Sequence, residues 1–246
     1  MTTTQPTTAA TRRDRRPTAA RDIIVTAREQ VSEHMTRLTL GGDDLVATVH
    51  DAPGAWVKLF VEEPDGFGEH GRAYTIRGFD PIRDEITIDV FLHGTGTMPR
   101  WARESRIGTR ARIGGPRASG APSSAAATVA LFGDETALPA IAAILEREHS
   151  GRRVSAAIEL ADDRDRQDIT VPRGAAVTWL TRGRGESPGA QLLAAAERTV
   201  FTPTTGVWFA GEAASAHWFR HRLRSLDVAE LHVQGYWRSG VGDYRE

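Results

Sequence analysis

The sequence contains no cysteine. That absence excludes disulfides, thiolate zinc sites, Cys-ligated iron–sulfur clusters and a cysteine nucleophile together. Lysine is almost missing as well: Lys58 is the single one among 31 basic residues, and the rest are arginine. Charge of one sign is not in excess, since 31 basic against 32 acidic side chains leave a net −1. No global field therefore draws the chain to nucleic acid or to a membrane surface. Long apolar runs are lacking too. The longest, Ala125–Phe132 and Ala137–Leu145, fall far short of the ~20 residues of a membrane-spanning helix. What is present, 40% hydrophobic and 26% charged residues over 246 positions, is the composition of a folded protein with one large domain or two small ones.

Residues 1–20 hold seven threonines, Arg12, Arg13, Arg15 and Arg16, and no large aliphatic side chain after Met1. Such a segment buries too little surface to offset its ordering entropy, so a disordered tail is expected. The arginine pairs precede no apolar stretch, which leaves a twin-arginine export signal unsupported and the cytoplasm as the expected compartment. From Ile23 the pattern becomes short strands separated by turn formers. The expected strands are Ile23–Ala27, Thr36–Leu40, Trp56–Val61, Ala73–Arg77, Glu85–Leu92 and Arg110–Ile113, with Gly41–Asp44, Pro64–Gly66 and Asp80-Pro81 between some of them. Six short strands over residues 21–117 predict an antiparallel barrel. The run at 118–127, rich in Ser, Ala, Gly and Pro, reads as a linker. Over 128–246 the order alternates: strands at Val129–Phe132, Val154–Leu160, Val177–Leu180, Val207–Phe209 and Leu231–Gly235, with helices at Ala137–Glu148, Gly189–Arg198 and Ala214–Leu226. Alternation predicts a parallel sheet flanked by helices.

Five segments carry chemistry. In Arg72-Ala73-Tyr74-Thr75-Ile76-Arg77, strand alternation puts Arg72 and Tyr74 on one face and Thr75 and Arg77 on the other. Cation, aromatic ring and hydroxyl together suit a flavin dinucleotide; a solvated arginine beside a half-buried tyrosine is the plain alternative. His93-Gly94-Thr95-Gly96-Thr97-Met98-Pro99 ends a strand and opens a helix, so the amides around Gly96 and Thr97 can bind phosphate. Gly133-Asp134-Glu135-Thr136 closes the first strand of the alternating half, where open parallel sheets bind nucleotides. Asp134 and Glu135 are alternatively helix caps. Gly211-Glu212 repeats the strand–glycine–helix pattern, and Tyr236-Trp237-Arg238 places aromatics and a cation near the end of the chain. Arg182 and Arg184 stand either against a ribose 2′-phosphate or on a solvated loop. His217 and His221 have metal-ligand spacing, but Trp218 replaces the glutamate of a zinc-protease motif and no third ligand is evident, so no metal is expected.

Together with Met35–Gly42, Val57–Phe60, Arg100-Trp101-Ala102, Gly114–Arg117 and Val177–Leu180, these segments resemble the siderophore-interacting proteins, a branch of the ferredoxin–NADP reductase-like flavoenzymes. The resemblance implies an FAD-binding barrel followed by an NAD(P)H-binding domain. It also implies reduction of an Fe(III)–siderophore by NADPH or NADH through FAD, with the flavin and no side chain as the reacting group. The cofactor contacts expected are Arg72, Tyr74, Thr75, Arg77, His93, Gly94, Gly96, Thr97, Gly133, Asp134, Glu135, Thr136, Arg182, Gly211, Glu212 and Trp237. Lys58, which matches a lysine of the family pattern, and Arg238 are expected at an anionic ferric substrate; strand alternation alone allows Lys58 to point outward instead. A monomer without nucleic-acid or membrane partners is expected. The rival readings are a reductase with another acceptor (ferredoxin, flavodoxin or free flavin) and a siderophore- or flavin-binding protein without turnover.

Overall fold

A computed structural model describes residues 20–43, 45, 52–63, 66, 68–118, 120–123, 125–241 and 244. The expected tail, Ala20 apart, lies outside these residues, as do Asp44, Pro64 and Asp65 of two expected turns and Ser119 and Ser124 of the expected linker.

Seven strands, β1 (Arg21–Ser32), β2 (Met35–Gly41), β3 (Trp56–Glu62), β4 (Glu69–Thr75), β5 (Gly78–Asp80), β6 (Glu85–Phe91) and β7 (Arg110–Arg117), form one antiparallel sheet in the order β4-β3-β7-β1-β2-β6-β5. Only Ile76 and Arg77 separate β4 from β5 at the opposite end of that order, and β4 lies against β6, so the two ends of the sheet come together. Alternation drives the burial. In β3, Val57, Leu59 and Val61 are fully buried while Trp56, Lys58 and Phe60 are half-exposed on the other face. One strand more is present than the sequence predicts. β5 has three residues, too few to show a period, and it is set by Asp80, whose carboxylate accepts the Ile82 and Arg83 amides in an Asx turn. The β4 expectation is displaced toward the N-terminus, because the Ile76 and Arg77 amides turn away to Ala55 and Thr87.

A short helix α1 (Thr97–Glu104) packs against β4 and β6. The second sheet consists of β8 (Thr128–Asp134), β9 (Arg153–Leu160), β10 (Ala175–Thr181), β11 (Thr205–Glu212) and β12 (Glu230–Trp237), all parallel, in the order β10-β9-β8-β11-β12. Helices cover both faces, so its central strands are continuous apolar runs; all eight residues of β11 are buried. α2 (Leu138–Glu146) is buried at every position before Glu146 and packs with Leu131, Ile158 and Trp208. Each fully buried large side chain there contributes about 1.5–3 kcal/mol. α3 (Ala190–Arg198) and α4 (Ala213–Leu223) cover the other face, where Phe219 of α4 packs on Phe132 and Phe209 of the sheet.

Charged pairs join the sheets. The β1–β2 turn sends the Ser32 hydroxyl (3.0 Å), the His34 amide (2.7 Å) and His34 Nδ1 (2.9 Å) to the buried Asp165 carboxylate, which lies in the short 3-10 helix after β9. Arg77 meets Glu146 of α2 at 2.5 and 2.6 Å through both terminal nitrogens. Arg77, expected at the cofactor, is matched here through its two terminal nitrogens by a carboxylate, a geometry guanidinium prefers. Arg77→Ala is expected to lower the unfolding free energy by about 2 kcal/mol in urea titrations, while FAD affinity changes less than about twofold. A large loss of FAD affinity with unchanged stability would return Arg77 to the cofactor.

Candidate functional site

The first cluster sits where β4 meets α1. Arg72 and Tyr74 pair across to Leu59 and Val57, so they share the barrel's inner face, and Lys58 pairs with Ala73 on the outer face. Tyr74 is half-buried against the barrel core, and burial pushes its phenol pKa upward while the nearby Arg72 charge pulls it down. The ring therefore stays protonated and neutral. Arg72 donates to the Gly71 carbonyl at 3.2 Å, and Thr75 is 8% exposed.

Gly94 adopts φ +61° with open space where a Cβ would stand, a conformation that favours glycine and leaves room for a group against the backbone. Arg103 fastens this turn by donating to the Leu92 and Gly94 carbonyls. His93 stacks on Phe91 with ring centres 5.8 Å apart. At α1 the extended N-cap Gly96 offers no side chain, the first turn holds no acid, and the first intrahelical bond runs from the Arg100 amide to the Gly96 carbonyl. The Thr97 and Met98 amides are left without an intrahelical acceptor, which makes this helix start suited to an anion. FAD fits these residues: an uncapped helix start for phosphate, Arg72 on the strand packed against it, and a neutral half-exposed ring. The sequence gives no signal for Glu63, whose carboxylate takes the Thr97 hydroxyl at 2.9 Å and His70 Nδ1 at 3.1 Å.

The second cluster lies at the carboxyl ends of β8 and β11, where the strand order reverses. Gly133 is required by packing, since a Cβ would stand 2.6 Å from that of Ala137 and 3.1 Å from the Ala210 carbonyl. Asp134 is 1% exposed. Its Oδ1 accepts the Thr136 amide (2.9 Å) and hydroxyl (2.6 Å); its Oδ2 accepts the Glu212 amide (3.0 Å) and the Trp237 indole N–H (2.8 Å). A Cβ on Gly211 would meet that same Oδ2 at 2.7 Å. Glu212 caps α4, accepting the Ala214 and Ser215 amides, and also accepts the Ser239 amide.

Arg182 is engaged as well. It donates to Glu159 at 2.8 Å and to Glu135 at 3.1 and 3.3 Å. Buried Glu159 in turn accepts the Gly189 and Gln191 amides at the start of α3. Asp134, Arg182 and Glu212, expected as nucleotide contacts, have these polar groups engaged within the chain, because a buried charge or polar group needs its partners. Glu159 was missed, although a lone acid ending the apolar run 154–160 is itself a signal of a buried, paired carboxylate. Lys58 lies with its Nζ 5.1 Å over the Phe60 ring, and the Arg238 guanidinium is 5.8 Å from the Tyr244 ring. The two cations have no contact with each other among the described residues. His217 and His221 stand on α4, and no group of three or more His, Asp or Glu suited to a metal ion occurs among the described residues.

Residues 126–240 match the siderophore-interacting protein family, and residues 24–70 and 64–120 match the siderophore-interacting FAD-binding domain. A siderophore utilization protein from T. fusca, known as a crystal structure, is 33% identical with a TM-score of 0.82, covering 94% of this chain and 97% of that one. The siderophore-interacting protein SipS from Aeromonas hydrophila is 28% identical with a TM-score of 0.80, over 91% and 93% of the two chains. Ferric vibriobactin reductase ViuB of Vibrio cholerae is 28% identical over 239 residues, 88% of each chain.

Proposed function

Because the chain belongs to the siderophore-interacting protein family and carries its FAD-binding domain, we propose that it is an NAD(P)H-dependent reductase of ferric siderophores that releases Fe(II) in the cytoplasm. One observation carries this reading. A barrel with an uncapped helix start beside Arg72 and Tyr74 stands in one chain with a parallel sheet whose strand order reverses between β8 and β11, the arrangement in which open sheets bind nucleotides. The named activity of ViuB supports the choice of substrate. Residues 21–117 are assigned to flavin, 118–127 to a linker and 128–246 to the nicotinamide donor.

FAD, when bound, supplies the redox chemistry, taking two electrons as hydride and passing them singly to Fe(III). Arg72 and the Thr97 and Met98 amides would hold its phosphates, Tyr74 would offer it a neutral phenol ring, and His93 and Gly94 bound the turn. Lys58, half-exposed beside the Phe60 ring, is assigned to an anionic ferric substrate, with Arg238 as a second cation. With no cysteine in the chain, electrons need no iron–sulfur relay of its own.

The test starts from the absorption spectrum of the purified protein, which reports bound flavin. Anaerobic mixing with NADH and NADPH then bleaches the flavin of a reductase, and a flavin that never bleaches leaves a binding protein. Rates with ferric chelates that exceed those with ferredoxin, flavodoxin and free flavin complete the assignment; the reverse order gives the enzyme another acceptor. Arg72→Ala is expected to weaken FAD binding by about 2 kcal/mol, roughly thirtyfold, the scale of a charge-assisted bond to phosphate. Quenching of FAD fluorescence measures it, and an unchanged dissociation constant removes Arg72 from the site.

A further inference from the structure

The strand order β10-β9-β8-β11-β12 is that of a mononucleotide-binding half-sheet, with β8 first, α2 as crossover and β9 second. In such sheets the residues just beyond the second strand read the ribose of the dinucleotide. An acid there bonds a 2′-hydroxyl, and an arginine accommodates a 2′-phosphate. Beyond β9 this chain places Asp162 and Asp163. The cations nearby are already matched. Arg164 meets Asp162 at 2.6 Å and Glu33 at 3.2 Å, and Arg166 meets Asp163 at 2.9 Å. On the neighbouring strand end, Arg182 is 13% exposed and held between Glu135 and Glu159. The Thr181 hydroxyl, a neutral donor that could have reached a phosphate, is directed onto Asp163. Asp162 and Asp163 both have pKa values lowered, first by hydrogen bonds from Arg164 and Thr181 respectively, so both are ionised at neutral pH.

We infer that the donor site selects NADH over NADPH, with Asp162 and Asp163 as the residues that repel a 2′-phosphate and accept a 2′-hydroxyl. The inference rests on the reading above that the parallel sheet takes a reduced nicotinamide dinucleotide. A 2′-phosphate brings about −1.5 to −2 charges at neutral pH to a strand end where each arginine but the exposed Arg184 is paired with a carboxylate. NADH brings a hydroxyl that either aspartate accepts without displacing an existing ion pair. The sequence by itself offers Arg182 as a phosphate contact; the two carboxylates that claim it become visible only in the fold.

The experiment is anaerobic stopped-flow reduction of the FAD-loaded protein across a range of NADH and NADPH concentrations. The expected result is an apparent dissociation constant for NADH at least ~10-fold below that for NADPH at low ionic strength, the gap narrowing as salt screens the exposed aspartates. Equal or tighter use of NADPH overturns the inference and leaves the reductase reading intact. Bleaching by neither donor removes that reading and this inference with it. The double variant D162N/D163N keeps side-chain acceptors at the 3-10 helix N-cap while removing both charges. It is expected to tighten NADPH about threefold or more without tightening NADH. An unchanged NADPH-to-NADH ratio overturns the assignment of these two residues. Arg184→Ala is expected to leave the ratio unaltered; a selective loss of NADPH binding would identify Arg184 as a phosphate contact and overturn the inference.

Discussion

Replacing Asp134 by alanine is expected to lower the unfolding free energy by about 3 kcal/mol or more, and the melting temperature by roughly 6–12 °C for a chain of this size. The carboxylate is 1% exposed and is the common acceptor for four donors on three segments: the Thr136 amide and hydroxyl at the entry to α2, the Glu212 amide at the end of β11, and the Trp237 indole at the end of β12. Alanine leaves these donors facing apolar neighbours such as Ala137 and Ala210. An unsatisfied buried donor costs about 1–3 kcal/mol, and the Glu212 amide, whose bond to Asp134 is buried, has no water to replace it. Trp237→Phe removes one donor and keeps the ring, so its cost is expected near 1 kcal/mol. Urea titrations of the three proteins measure both effects. An Asp134→Ala loss no larger than that of Trp237→Phe would mean that the four bonds do not act through one buried charge. Asp134 also ties the Trp237 end of the chain to the switch point of the sheet, so the stability of this corner and the order of any donor site are linked.

Why Asp134 could be singled out from sequence, and its partners Glu212 and Trp237 could not, is a matter of range. The strand–glycine–helix pattern at 129–140 is local, and local patterns held: alternation in β3, unbroken apolar runs in β8 and β11, and the helical period of α2 all reappear in the structure. The faces of Arg72 and Tyr74 also followed from alternation. What escaped is non-local or short. β5 is three residues long, and the outer half of β1, residues 28–30, is exposed and polar, held as strand by its pairing with β2. Arg77 and Glu146 are 69 positions apart, His34 and Asp165 are 131, and Trp237 and Asp134 are 103. No spacing rule connects such residues. An arginine in sequence carries the same charge whether it awaits a phosphate or is already closed by a carboxylate. Arg182 shows the consequence: its residue type suggested a nucleotide contact, and only the fold shows that Glu135 and Glu159 pair with it.

Those partners also set a pH dependence. The Glu135 side chain is 4% exposed, and its carboxyl is pushed up from an ordinary 4.5 to about 7, first by burial and then by the neighbouring Asp134 charge, with Arg182 pulling in the opposite direction. A folded-state value above the unfolded one means that the native protein holds this proton more tightly than the unfolded chain does. The resulting stabilisation is complete below about pH 4.5 and is lost as the pH rises through about 7, a change of about 3 kcal/mol at most at 1.36 kcal/mol per unit. Glu135→Gln keeps the shape of the protonated carboxyl and cannot ionise, and Arg182 retains Glu159 at 2.8 Å. Wild type and variant are therefore expected to have similar unfolding free energies below about pH 4.5, and the variant is expected to gain on the wild type as the pH rises from there to about 7 and to keep that gain above it. Urea titrations at a series of pH values measure the difference curve, which levels off as the pH passes the folded-state value near 7. A difference that stays flat from pH 5 to 8 would show that Glu135 ionises at its ordinary value, and that Arg182 compensates the whole cost of burying it.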